Sequence, residues 1–163
     1  MTHDDLVLRA EKWLKNSINC GVVFNDKFQA WTSYGEQPDG FGLRAGVSVL
    51  IECKASRADF HADKKKRFRA DPSLGMGDWR FYMCPKGVIN VEDLPEGWGL
   101  LWVNGSRVEK VHGIPPNTQW SRSPFSGNKD SERAYMYGAL RRLTIRGRFS
   151  EIYEGIPKGE QAA

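Results

Sequence analysis

The sequence predicts an α/β fold in one domain, residues 1–156, with a mixed β-sheet flanked by α-helices. Three observations carry that prediction. An amphipathic segment opens the chain, and an apolar, β-branched run at 47–51 leads straight into a capped helix. A hairpin signal, Asn104-Gly105, sits between two short strand-like stretches.

Taken in order, residues 4–16 put Leu6, Val7, Ala10, Trp13 and Leu14 on one helical stripe, and Asp4 and Asp5 suit the positive start of a helix. Residues 21–24 and 28–33 read as two strands joined by the turn Asn25-Asp26-Lys27, and residues 34–42 as a turn-rich connection. Residues 47–54 are the most strand-like segment, nearly all apolar up to Glu52, as for a central strand covered on both faces. Ser56 with Asp59 three residues on then caps a helix running to about Arg69. Residues 80–84 form a further strand that Pro85 stops, and 99–103 with 107–111 form the Asn-Gly hairpin. Residues 113–129 show no period and carry Pro115, Pro116 and Pro124, so a long functional or mobile loop is expected. A last helix runs from Ser131 through Tyr135, Leu140 and Leu143 to about Arg146, and residues 157–163 read as a disordered tail.

The 163 residues are 40% hydrophobic and 27% charged, enough to bury a core without disulfides or metals. No apolar run approaches the roughly 20 residues needed to span a bilayer, so no membrane partner is expected, and the acidic start is not a secretory signal. Cys20, Cys53 and Cys84 are odd in number and widely spaced, which argues against a disulfide framework and for a reducing, cytoplasmic home. His3, His61 and His112 are scattered without metal-ligand spacing. The net charge of +4 permits a nucleic-acid partner without demanding one.

The chemistry centres on Pro38-Asp39 and Glu52-Cys53-Lys54. Residues two apart on a strand share a face, so Glu52 and Lys54 point to one side at the end of a buried run. Charges there must pair or bind a metal, and Asp39 is within reach one strand earlier. Two carboxylates and a backbone carbonyl are the hard donors that Mg²⁺ or Mn²⁺ prefers. The plain alternative is a Glu52–Lys54 pair at a sheet end. A similar triplet, Asp63-Lys64-Lys65, lies on a charged helix where the same-face argument fails, and is read as a decoy.

These residues resemble the PD-(D/E)XK nuclease superfamily, with its restriction-endonuclease-like core. The continuation from Lys54 to Lys65, with Ser56, Asp59, Phe60 and Asp63, and then Asp78-Trp79-Arg80-Phe81-Tyr82, is similar to the MmcB-like DNA-repair branch over about residues 34–112. The resemblance implies metal-dependent hydrolysis of DNA phosphodiesters in repair, recombination or phage DNA processing. Asp39 and Glu52 would be Mg²⁺ ligands with the Cys53 backbone carbonyl, Mn²⁺ would substitute, and Lys54 would be the catalytic lysine. Many relatives add a carboxylate from the first helix, for which Glu11 is the candidate; a solvated helix charge explains it equally well.

The segment from Lys54 to Arg69 carries seven basic residues against two acidic ones. Arg57, Lys64, Lys65, Lys66, Arg67 and Arg69 are therefore the expected DNA contacts, against the alternative of a solvated helix face. Arg141, Arg142, Arg146 and Arg148 form a second basic cluster, and Trp120, Arg122 and Phe125 offer stacking surfaces in the long loop, with core packing as the alternative. The rival readings are a non-catalytic DNA- or RNA-binding module and an interaction domain of a repair or phage complex. A homodimer stays open.

Overall fold

Apolar side chains alternate along the central strands, and the two faces this creates organise the chain. The computed structural model describes residues 1–157, so the expected tail lies, after Pro157, outside the described residues. Helix α1 (His3–Asn16) begins with a capping box, in which Thr2 and Asp5 satisfy each other's free backbone donors. Strands β1 (Val22–Asn25), β2 (Gly40–Arg44) and β3 (Val47–Cys53) follow. The chain crosses over through α2 (Arg57–Lys64) and the short α3 (Arg67–Ala70) to β4 (Trp79–Pro85). Strand β5 (Gly99–Asn104), strand β6 (Arg107–His112) and helix α4 (Lys129–Ile145) complete it.

The six strands lie in sequence order in one mixed sheet, with β3, β4 and β5 parallel and the other pairs antiparallel. Val49, Ile51 and Cys53 of β3 and Trp79, Phe81 and Met83 of β4 face α1, which buries Leu6, Val7, Ala10, Trp13 and Leu14 against them. Leu50 of β3 and Tyr82 and Cys84 of β4 face the opposite way, onto Phe60 of α2 and Tyr135 of α4. The sheet is thus covered by helices on both faces, the α/β architecture expected.

Three expectations about elements are corrected. Residues 28–33 are not a strand: the Gln37 side chain bonds both the N–H and the C=O of Ala30, and Phe28 packs on Tyr135 instead. The partner of β1 is β2, which begins inside the stretch read as turns. Its glycines mislead because α1 and the turn after it lie so close that a Cβ at Gly42 would stand 3.1 Å from the Leu14 side chain and 2.7 Å from the Cys20 sulfur. The helix after Ser56 breaks at Lys65 and Lys66 and resumes as α3.

The long loop is packed down rather than presented. Trp120 is buried, its carbonyl accepts from the Trp79 indole N–H at 2.8 Å, and the Arg80 guanidinium stacks over Phe125 at 4.0 Å. Neither ring is displayed for base stacking. Helix α4 buries side chains in its first half, Glu132 and Tyr135 among them, while Leu140 stays exposed.

Candidate functional site

The register of the first three strands places the candidate residues. Asn25 pairs with Gly40 and Gly40 with Ile51, so one residue beyond the ladder Asp26, Asp39 and Glu52 stand in a row across three neighbouring chains. Strand parity turns Glu52 toward the α2 face, opposite Cys53. A cleft of about 300 Å³ opens here, lined by Asp39, Glu52, Cys53 and Lys54 together with His3, Asp59, Asp63 and Lys66.

Asp39 is held by its Oδ2, which accepts the Cys53 backbone N–H at 2.8 Å. Burial, and then the charge of Glu52, push its carboxyl up to about 7. Among the described residues its ion-pair partner is His3, with Nε2 3.3 Å from Oδ1.

Glu52 lies deeper and is compensated on both oxygens. Lys54 Nζ is 3.2 Å from Oε2 and an Arg69 guanidinium nitrogen 3.0 Å from Oε1. The Lys54 ammonium also stands 3.3 Å from Asp63 Oδ1. Burial works to discharge Lys54, but Glu52 and Asp63 outweigh it and hold the amine charged, above its ordinary value.

Asp63, the supposed decoy, belongs to this site. The first turn of α2 is capped by Ser56, whose hydroxyl accepts from the Asp59 N–H, and that fixes the helix so that Asp63 points at the sheet. Its carboxylate, fully buried, accepts from the Tyr82 hydroxyl at 2.8 Å and from Arg69 Nε at 2.9 Å, and pairs with Lys66 at 3.0 Å. Burial alone would raise its pKa; Arg69 and Lys54 override that and carry it well below the usual carboxylate range.

Glu36 was not anticipated either. It is buried, pairs with Arg69, and accepts the Met76 backbone N–H at 2.6 Å. A helical triplet such as Asp63-Lys64-Lys65 gave no hint of burial because its charged neighbours point outward. The one available signal was the i, i+3 spacing of Phe60 and Asp63, which puts the acid beside an apolar anchor.

The expected DNA contacts separate. Arg69 is withdrawn from that surface, since its side chain is only 3% exposed and faces Glu36, Glu52 and Asp63. Arg57 pairs with Asp93 on both terminal nitrogens, and Lys64 donates to the Asp93 carbonyl. Lys65, Lys66 and Arg67 are exposed; Lys66 lines the cleft with its amine on Asp63, and Arg67 lies over the Tyr34 ring at 5.2 Å. Of the second cluster, Arg142 reaches back to the Gln29 carbonyl and Arg148 pairs with Glu151. Glu11 does not line the cleft. It is hydrogen-bonded to Lys15 and, at 2.8 Å, to Asn25 on the α1 side of the sheet, so the structure does not bring it to Glu52.

The three cysteines are buried and free, and no helix among the described residues is long and apolar enough to cross a membrane. No family model matches the chain, and no curated protein matches it. A solved structure of a protein of unknown function from Silicibacter pomeroyi is similar, with a TM-score of 0.59 over 96% of this chain and 97% of that one at 24% identity. That likeness extends the fold to a second protein.

Proposed function

We propose that this chain is a metal-dependent deoxyribonuclease of the PD-(D/E)XK kind. The observation that carries the reading is the meeting of Asp39, Glu52 and Lys54 at one cleft, from the turn before β2, the end of β3 and the residue after it. The donor set fits a hard dication: two carboxylates in adjacent register positions, one of which, Asp39, has no lysine or arginine ion pair among the described residues. Asp39, Glu52 and the Cys53 carbonyl would hold Mg²⁺, with Mn²⁺ as a substitute. Bound there, the ion would polarise the scissile phosphate and lower the pKa of the attacking water.

The chain's own groups supply the rest. Lys54 is kept charged and aimed by Glu52 and Asp63, so its ammonium is ready to stabilise negative charge developing on the phosphate. Arg69 and Tyr82 hold Asp63 and Glu52 still, which fixes Lys54 without touching substrate. Lys66, which lines the cleft, and its exposed chain neighbours Lys65 and Arg67 are the contacts for neighbouring phosphates of DNA.

One observation favours the rival, a DNA- or RNA-binding module without catalysis. Both oxygens of Glu52 already face a cation, so its charge is balanced without a metal.

The two readings part in a cleavage assay on single-stranded, duplex, flapped and branched DNA with Mg²⁺, Mn²⁺ or EDTA. Nuclease action predicts cutting that EDTA stops. Lys54→Met should lower the rate at least 100-fold, and Asp39→Asn should do the same with the far-ultraviolet circular dichroism unchanged. Metal-independent, salt-sensitive binding with no cutting of any substrate supports the rival. Cutting that survives both substitutions overturns the site.

A further inference from the structure

We infer that His3, Asp26 and Asp39 form a second cation site, distinct in donor chemistry from the one at Glu52, which takes a first-row transition dication such as Mn²⁺ in preference to Mg²⁺. His3 Nε2 lies 3.6 Å from Asp26 Oδ2 and 3.3 Å from Asp39 Oδ1, and one donor atom from each of the three falls within 4.8 Å of the others. Two ligands that each sit about 2.1 Å from a shared ion stand roughly 3–4 Å apart, so the two His3 separations match those of donors around one metal.

Three separate elements build the arrangement. His3 is the first residue of α1, and the Thr2–Asp5 capping box fixes that turn. Asp26 follows the last residue of β1 and Asp39 precedes the first of β2, and the pairing of Asn25 with Gly40 sets the two side by side. Asp26 lines one cleft with Asp4, Asn25 and Lys27, while His3 and Asp39 line the neighbouring cleft at Glu52, so each ligand has an open side.

The donor set decides the metal class. Carboxylates alone would suit Mg²⁺ or Ca²⁺ equally, but an imidazole nitrogen adds affinity for transition metals that Mg²⁺ does not share. The two oxygens of Asp39 face opposite ways, Oδ1 toward His3 and Oδ2 toward the Cys53 N–H, so Asp39 borders both sites. The proposal goes beyond the nuclease reading and does not require it, since binding is read without DNA.

The test is Mn²⁺ and Mg²⁺ titration of the full, untagged chain near pH 7.5, followed by calorimetry and by the loss of the free Mn²⁺ paramagnetic resonance signal. The unaltered protein should bind Mn²⁺ at least ten-fold more tightly than Mg²⁺. His3→Ala and Asp26→Asn should each weaken Mn²⁺ at least ten-fold while leaving Mg²⁺ binding alone, and Glu52→Gln should retain the His3-dependent ion. His3 and Asp26 are partly exposed, so both variants should fold, which their melting curves check. Mn²⁺ affinity unchanged by both substitutions, or Mn²⁺ and Mg²⁺ bound alike, overturns the site and makes the cluster a histidine–carboxylate contact only. Absence of DNA cleavage with the His3-dependent Mn²⁺ site intact removes the nuclease reading and leaves this one standing.

Discussion

At the start of β3 and β4, the carboxylates of Asp78 and Glu132 are buried and take half of their bonds from backbone N–H groups. Asp78 accepts from the Ser48 and Gly127 N–H groups, and Glu132 from the Gly77 N–H and the Ser48 hydroxyl, with Lys129 bridging both acids. At the other end of the same strands, Glu36, Glu52 and Asp63 are also buried, but they are met mostly by the side-chain charges of Arg69 and Lys54. Backbone donors cannot leave without unfolding a strand end or a loop. Lys54, which lines the open cleft, is instead a side-chain cation shared between two carboxylates. The first end is therefore a clasp that ties the loop before α4 to the sheet, and the second is a side-chain charge network beside an open cleft.

The largest effect comes from breaking the second network at its hub. Arg69→Met leaves three buried carboxylates short of a partner and should cost about 3–5 kcal/mol, measured by urea unfolding at pH 7.5. A loss below 1 kcal/mol would mean that Lys54 and Lys66 carry the compensation instead.

Glu132→Gln tests the clasp. A Gln amide cannot accept from Ser48 and Gly77 while also serving Lys129, so stability should fall by about 2–3 kcal/mol. Metal affinity at the far end of the sheet should not change. If it does, the two ends are coupled and the contrast between them fails.

The smallest effect has the opposite sign. In the folded chain the Asp39 carboxyl is pushed up to about 7 from its ordinary 3.8, so its contribution to stability is full below about pH 4 and is lost as pH rises through 7. Asp39→Asn, which keeps an oxygen for the Cys53 N–H, should be more stable than the unaltered protein at pH 8 in EDTA by on the order of 1–2 kcal/mol. The difference should vanish near pH 4. Paired thermal melts at the two pH values check it, and equal stability at pH 8 would show Asp39 to be unstrained.

Patterns of local spacing were legible in the sequence. The stripe from Leu6 to Leu14, the apolar run of β3, the Asn104-Gly105 hairpin and the grouping of Asp39, Glu52 and Lys54 all depend on neighbours two to fifteen residues apart, through strand parity, helix period and one hairpin. Strand β2 was obscured because its glycines answer to the approach of α1, which no local rule reports. Arg69 was read as a surface cation because composition counts charge without direction; its burial follows from the break between α2 and α3.

The sequence by itself determined the α/β class and the placing of two carboxylates and a lysine at the end of a buried strand, because alternation and periodicity are properties of the chain alone. Tertiary structure decided which other charges join them. Glu36, Asp63 and Arg69 come from separate segments, and His3 meets Asp26 and Asp39 from the first turn of α1. Those meetings rest on how helices seat on the two faces of the sheet, and a buried charge takes its partner from whatever the packing brings within a few ångströms.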